Sequence, residues 1–259
     1  MQLAGQTALV TGAGSGLGAS VALEFARAGA KVAVLDVNEA GARAVAAEIV
    51  AAGGQALAVR CDICDSASVV AALDASAAAL GPARLLMNVA GIGTAKRIVG
   101  KDGTAAPLED FERVIKVNLI GTYNMTRLFA ERVVKLEALE DGERGVIVNT
   151  ASVAAYDGQI GQEAYSASKG GLVGLTLPLA RDLAQHGVRV VTIAPGLFMT
   201  PLMKQLPEAV QASLAEGIPF PKRLGKPEEF ASLAAHIVGN VHLNGEVIRL
   251  DGAVRLAPR

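Results

Sequence analysis

Tyr165 and Lys169 stand four residues apart in the run Tyr165-Ser166-Ala167-Ser168-Lys169, and Ser152 lies thirteen residues before the tyrosine. On a helix, side chains four apart share a face. A phenol titrates near ~10, and ionising it at pH 7 costs roughly 4 kcal/mol. A lysine ammonium nearby lowers such a pKa by ~1–3 pH units, and a bound cation lowers it further. The spacing therefore predicts an acid–base centre, with the Ser152 hydroxyl as a second polar group for a substrate oxygen. Taken alone, Tyr-x3-Lys also describes an ordinary helix surface. The remainder of the chain decides between the two.

A nucleotide signature stands at the other end of the chain. Residues 7–10 form an apolar, strand-like run, followed by Thr11-Gly12-Ala13-Gly14-Ser15-Gly16-Leu17-Gly18 and then by helical periodicity through Val21, Leu23, Phe25 and Ala28. A strand, a glycine-rich turn and a helix start present unpaired N–H groups and a positive helix end to phosphate. The glycines at 12, 16 and 18 follow G-x3-G-x-G rather than the commoner G-x-G-x-x-G. Asp36 ends the second apolar run, residues 31–35, and lies 18 residues past Gly18. That is the place for a carboxylate that binds ribose hydroxyls. A carboxylate there repels a 2′-phosphate, and no Arg or Lys lies in residues 37–39 or in the glycine turn. The expected cofactor is NAD(H), not NADP(H). Asp36 is also placed to cap the helix expected from residue 39.

The elements that must position these groups alternate along the whole chain. Helices are expected over 39–52, 66–80 and from about 108, and strands over 56–60, 84–89, 145–150, 188–193 and 246–250. A long helix from residue 108 carries Asn118, and another carries Tyr165 and Lys169, with Pro178 expected to kink it. This order predicts an α/β fold, a single domain over 1–259. The candidate residues fall at the C-terminal ends of successive strands, where open parallel sheets bind ligands. Residues 197–224 form an expected lid carrying Phe198, Met199, Leu202, Met203, Leu206, Leu214 and Phe220, apolar side chains suited to covering an apolar substrate.

Together these features resemble the short-chain dehydrogenase/reductase family over nearly the whole chain. The carrying motifs are Thr11 to Gly18, Asn88-Val89-Ala90-Gly91 (Val89 stands where the family has a second Asn), Asn118, Ser152, Tyr165, Lys169, Pro195-Gly196 and Thr200. The resemblance implies a Rossmann fold, a doubly wound parallel seven-stranded sheet with helices on both faces. It implies a catalytic tetrad of Ser152, Tyr165, Lys169 and Asn118, with Asn118 supporting a proton path to Lys169. It implies cofactor contacts at Gly12, Ser15, Gly16, Leu17, Gly18, Asp36, Asp62, Ile63, Ala90, Gly91, Tyr165, Lys169, Pro195, Gly196, Leu197, Phe198 and Thr200, with Asp62 and Ile63 beside adenine. A nearer resemblance runs through residues 149–156, 164–171, 195–198 and 244–252 and the insert at 93–107 to the branch that oxidises 3-hydroxyacyl-CoA esters. It adds Gln162 to Ser152 and Tyr165 as substrate contacts. Lys96, Arg97 and Lys101 in the insert are candidates for CoA phosphates, or form a solvated loop. Hydroxysteroid or simple alcohol oxidation, and a non-catalytic dinucleotide-binding scaffold or redox sensor, are the alternatives. The family implies a homotetramer.

Composition narrows the partners. Of 259 residues, 51% are hydrophobic and none is Trp, so aliphatic packing must fill a large core. A net charge of −1 with scattered basic residues argues against nucleic acid as a partner. No apolar stretch is long enough for a bilayer, and a first strand beginning by Thr7 leaves no room ahead of it for a cleaved signal. Cys61-Asp62-Ile63-Cys64 has redox-motif spacing but follows a strand instead of opening a thioredoxin-like helix, and His186, His236 and His242 lack ligand spacing. The expectation is no metal, ordinary cysteines and a reducing cytoplasm.

Overall fold

The computed structural model describes residues 1–258; Arg259 and the side chain of Leu202 lie outside the described residues. Seven strands form one sheet: β1 (Thr7–Thr11), β2 (Lys31–Asp36), β3 (Gln55–Arg60), β4 (Ala83–Asn88), β5 (Gly145–Thr150), β6 (Val188–Pro195) and β7 (Val247–Leu250). Every pairing is parallel, in the order β3-β2-β1-β4-β5-β6-β7. The order reverses between β1 and β4, and the loops leaving those strands part there to open a crevice.

The helices are α1 (Gly16–Arg27), α2 (Glu39–Ala51), α3 (Ser66–Leu80), α4 (Leu108–Ile115), α5 (Thr122–Val133), α6 (Glu163–Ala184), α7 (Pro201–Lys204), α8 (Glu208–Glu216) and α9 (Pro227–Gly239). Strand side chains alternate between faces. Val10, Val32, Val34, Met87 and Val148 pack with Phe25 of α1, Ile49 of α2 and Phe230 of α9. Leu9, Leu35, Leu86 and Ile147 pack on the other face with Leu73 of α3, Phe129 of α5 and Leu183 of α6. Burying each large side chain of these two layers contributes about 1.5–3 kcal/mol. They hold the strand ends, and with them the crevice, in one frame.

Two local expectations are corrected. The helix from residue 108 is not uniform: a π-helical turn, Lys116–Gly121, separates α4 from α5 and carries Asn118. The helix meets two neighbours there. Leu119 presses on Gly171, where a Cβ would lie 2.7 Å from it, and Gly121 takes Ile63, 2.8 Å from its would-be Cβ. Asp36 does not cap α2; Asn38 does, accepting from the Gly41 N–H at 3.2 Å. Pro178, as expected, lies inside α6.

Candidate active site

The crevice is a cavity of about 840 Å3 above the C-terminal ends of the strands. Its floor is the turn between β1 and α1. Gly12 and Gly16 take positive φ (64° and 56°), a region costly for residues with a Cβ. A Cβ on Gly12 would come within 2.7 Å of the Ala90 backbone, and one on Gly18 within 2.2 Å of the Gly12 carbonyl. Ser15 is the N-cap of α1, and its side chain makes no capping bond. The first-turn N–H groups of α1, unmatched within the helix, are available to an anion. Asp36 is held at the crevice wall by the N–H groups of Gly14 and Asn38, both at 2.8 Å from its carboxylate oxygens. A backbone cradle with no room for side chains, next to a fixed carboxylate, fits a dinucleotide.

Val89 explains its own departure from the family pattern. Its N–H donates to Thr11 Oγ1 at 3.1 Å, a bond independent of side chain, while Val89 packs on the core. Asn88 does the side-chain work, donating to Asn149 Oδ1 and Thr126 Oγ1.

β5 delivers Ser152 just past its end, and α6 delivers Tyr165 and Lys169 one turn apart. Lys169 Nζ lies 5.7 Å from the Tyr165 ring centroid and donates to the Thr150 carbonyl at 2.7 Å. Burial pushes the Lys169 ammonium down from 10.5 to about 8. Burial also raises the Tyr165 phenol above its ordinary value, with a hydrogen bond to Ser152 drawing it back. The expected lowering of the tyrosine by lysine is therefore absent from the protein alone: burial dominates, and the opposing influence is the Ser152 hydroxyl. Asn118 is fully buried and sits behind these groups. Its Oδ1 accepts the Ile92 N–H at 2.8 Å, and its Nδ2 donates to the Ile92 carbonyl at 2.9 Å and to Ser168 Oγ at 3.0 Å. It thus ties the loop that follows β4 to the helix of Tyr165. A Cβ on Gly91 would sit 3.2 Å from Asn118 Oδ1 and 3.5 Å from Lys169 Nζ.

Residues 6–211 match the family model described as short chain dehydrogenase. The chain belongs to that family. A 158-residue segment is 61% identical to 3-hydroxyacyl-CoA dehydrogenase type-2 of Bos taurus, covering 61% of this chain and 60% of that protein, so the match spans under two thirds of the curated relative. The crystal structure of 3-hydroxyacyl-CoA dehydrogenase type-2 from Mycobacterium avium is 44% identical, covers 98% of both chains and superposes with a TM-score of 0.94. A 7α-hydroxysteroid dehydrogenase complexed with NADH and 7-oxo glycochenodeoxycholic acid is 31% identical over 100% of this chain and 97% of that one, with a TM-score of 0.90.

This short chain dehydrogenase brings every cofactor residue expected from sequence to the one crevice, from Gly12 through Asp36, Asp62, Ile63, Ala90 and Gly91 to Pro195 and Thr200. Ser152, Tyr165 and Lys169 line it as well. Gln162 is the N-cap residue of α6, and its Oε1 accepts the Gln159 N–H at 3.1 Å; it lies outside the crevice lining. Lys96 pairs with Asp110, and Lys96, Arg97 and Lys101 all lie off the lining. The apolar residues of the 197–224 segment divide by role. Phe198 packs edge-on against Phe230 at 6.2 Å, Met203 lines the crevice, and Phe220 is 82% exposed. Met199 and Leu214 pack on Ile218, Leu224 and Val254.

Cys61, Cys64, Lys116, Thr150 and Ile92 line the crevice without having been singled out for it. Each lies within two residues of a residue that was, Lys116 at the start of the π turn that carries Asn118. The cysteines are unpaired, and burial pushes the Cys61 thiol up to about 12, the wrong direction for a reactive thiolate.

Proposed function

We propose that this protein is an NAD-dependent dehydrogenase that interconverts a 3-hydroxyacyl-CoA ester and the 3-oxoacyl-CoA. The observation that carries the reading is the meeting of Ser152, Tyr165 and Lys169 at the rim of a crevice whose floor is the glycine turn and whose wall holds Asp36. The name of the Bos taurus relative and that of the Mycobacterium avium structure supply the substrate class. Asp36 supplies the preference for NAD over NADP, since a 2′-phosphate beside a carboxylate costs binding energy at short range.

In oxidation, the Tyr165 phenolate takes the proton of the substrate hydroxyl. Bound NAD supplies the acceptor for the hydride that leaves the same carbon. The Ser152 hydroxyl donates to the substrate oxygen and aligns it with the phenol. Lys169 holds a positive charge beneath the phenol and binds ribose hydroxyls. Asn118 positions the helix of Tyr165 and the backbone around Gly91, and supports proton resupply to Lys169. Cofactor contacts fall to Gly12, Ser15, Gly16, Leu17, Gly18, Asp36, Asp62, Ile63, Ala90, Gly91, Pro195, Gly196, Leu197, Phe198 and Thr200; Gln162 joins Ser152 and Tyr165 toward substrate. Residues 197–224 act as the lid. Because the phenol must lose a proton, oxidation speeds up as pH rises.

The protein acts as a homotetramer in the cytoplasm. An open apolar hollow of about 390 Å3 on the π turn, α5 and α6, lined by Leu119, Ile120, Tyr123, Gly171, Gly174 and Leu175, supports association with further copies. No helix among the described residues is long and apolar enough to cross a membrane. A hydroxysteroid is the second substrate reading, favoured by the likeness to the 7α-hydroxysteroid dehydrogenase.

The test is NADH formation from (S)-3-hydroxyacyl-CoA of short to medium chain, beside NADP+ and a steroid alcohol. Turnover of the CoA ester with NAD+ and little with NADP+ is expected. Turnover of the steroid alone removes the CoA reading. Tyr165→Phe should lower kcat by about 10²–10⁴-fold; near-normal turnover would remove the tyrosine from the mechanism.

A further inference from the structure

Ser152 and Tyr165 are the two ends of one connection. The chain leaves β5 at Ser152, runs through residues 153–162 and enters α6 just before Tyr165. This segment has little regular structure beyond one short turn at Val153–Ala155. Local bonds hold its two ends, the Tyr156 and Asp157 N–H groups to the Val153 carbonyl and the Gln159 N–H to Gln162 Oε1, and the rest of its hold comes from elsewhere in the chain.

One side chain reaches its middle. Arg249 of β7 donates to Asp157 Oδ2 at 2.6 Å and to Asp251 Oδ2 at 2.8 Å, and its Nη2 also reaches the Val254 carbonyl at 3.2 Å. Its guanidinium lies 5.0 Å from the Tyr156 ring centroid. The three charged side chains are only 22%, 20% and 8% exposed, so solvent screens them less than a surface pair. A planar guanidinium can serve two carboxylates and a ring together; an ammonium cannot. The segment after Val254 adds to the hold. The Ala257 carbonyl accepts from Gln159 Nε2 at 2.9 Å, and the Pro258 carbonyl accepts the Ile160 N–H at 3.1 Å. Val254 and Leu256 meanwhile pack with Ile218 and Leu224 of the lid segment.

We propose that Arg249 is a positioning residue for substrate: it holds the connecting segment between Ser152 and Tyr165 and, through residues 251–258, joins that segment to the lid. The proposal rests on the dehydrogenase reading. The reacting groups have their own anchors, Ser152 at the end of β5 and Tyr165 on α6 beside Lys169. Loosening that segment therefore weakens substrate contact more than chemistry, and leaves the glycine turn at residues 12–18, which neither Arg249 nor its partners touch, in place.

The experiment compares Arg249→Gln, Arg249→Lys and the milder Asp157→Asn with the wild-type chain. Arg249→Gln should raise KM for the hydroxyacyl-CoA by about tenfold with kcat within about threefold, the pattern of lost uniform binding. Arg249→Lys should recover part of that loss, and the NAD dissociation constant from calorimetry should not move. Hydrogen exchange should quicken in residues 153–162 and stay unchanged in residues 7–18. An unchanged KM, an equal loss in kcat, or exchange that quickens across the whole sheet would overturn the proposal. If the wild-type protein oxidises no alcohol, the dehydrogenase reading fails by itself. Exchange in residues 153–162 then decides whether Arg249 anchors that segment: local quickening upholds the anchor, and its absence overturns it.

Discussion

Lys169 is charged in water and almost wholly buried in the fold, and the cost of burying it depends on pH in a way that can be measured. Burial lowers its pKa from 10.5 to about 8. The unfolded chain therefore binds more protons than the folded one between those values, and wild-type stability gains from rising pH across that window. At about 1.36 kcal/mol per pH unit, the lysine costs about 3 kcal/mol of stability at pH 7 and about 2 kcal/mol at pH 9. Lys169→Met removes this titration and fills similar volume. It also removes the 2.7 Å bond to the Thr150 carbonyl, a penalty of about 1–3 kcal/mol that does not vary with pH. The test is urea unfolding of both proteins at pH 7 and pH 9. The stability of the variant relative to wild type should fall by about 1 kcal/mol from pH 7 to pH 9, whatever its sign at pH 7. A difference that stays constant across the two pH values would show that Lys169 titrates alike in both states, and the desolvation argument would fail.

Two further outcomes follow from the packing. Gly18→Ala places a Cβ 2.2 Å from the Gly12 carbonyl, so NAD affinity measured by calorimetry should drop at least about tenfold while the far-ultraviolet circular dichroism stays native in shape; unchanged affinity would mean that the turn does not hold the pyrophosphate. Ile120 is 56% exposed in the apolar hollow formed by the π turn, α5 and α6, and Ile120→Asp should shift sedimentation toward smaller species, since a buried unpaired carboxylate costs several kcal/mol at an interface; unmoved sedimentation would remove this hollow as a site of association.

Much of this molecule is legible from residue order because the relevant physics is local. The run at 145–150 is a strand with the bounds its apolar pattern predicts, and the glycine turn takes positive φ at Gly12 and Gly16. Asp36 and the Tyr165–Lys169 pair land in the crevice because a strand end and a helical repeat fix them relative to their neighbours in the chain. Alternating strands and helices left few topologies besides a parallel sheet.

What depended on tertiary structure involves groups far apart in the chain. The π turn at Asn118 forms where Leu119 meets Gly171 and Gly121 meets Ile63, contacts that no local pattern announces. The raised tyrosine and lowered lysine pKa values come from desolvation, which is set by everything packed around α6 rather than by the four-residue spacing. Lys116 enters the crevice, while Lys96 is drawn away to Asp110; basic residues in a sequence do not reveal which carboxylate they will find. Arg249 meets Asp157 across 92 positions of chain. Backbone conformation is encoded where it occurs, but burial and charge pairing are decided by whichever segments the sheet order brings together.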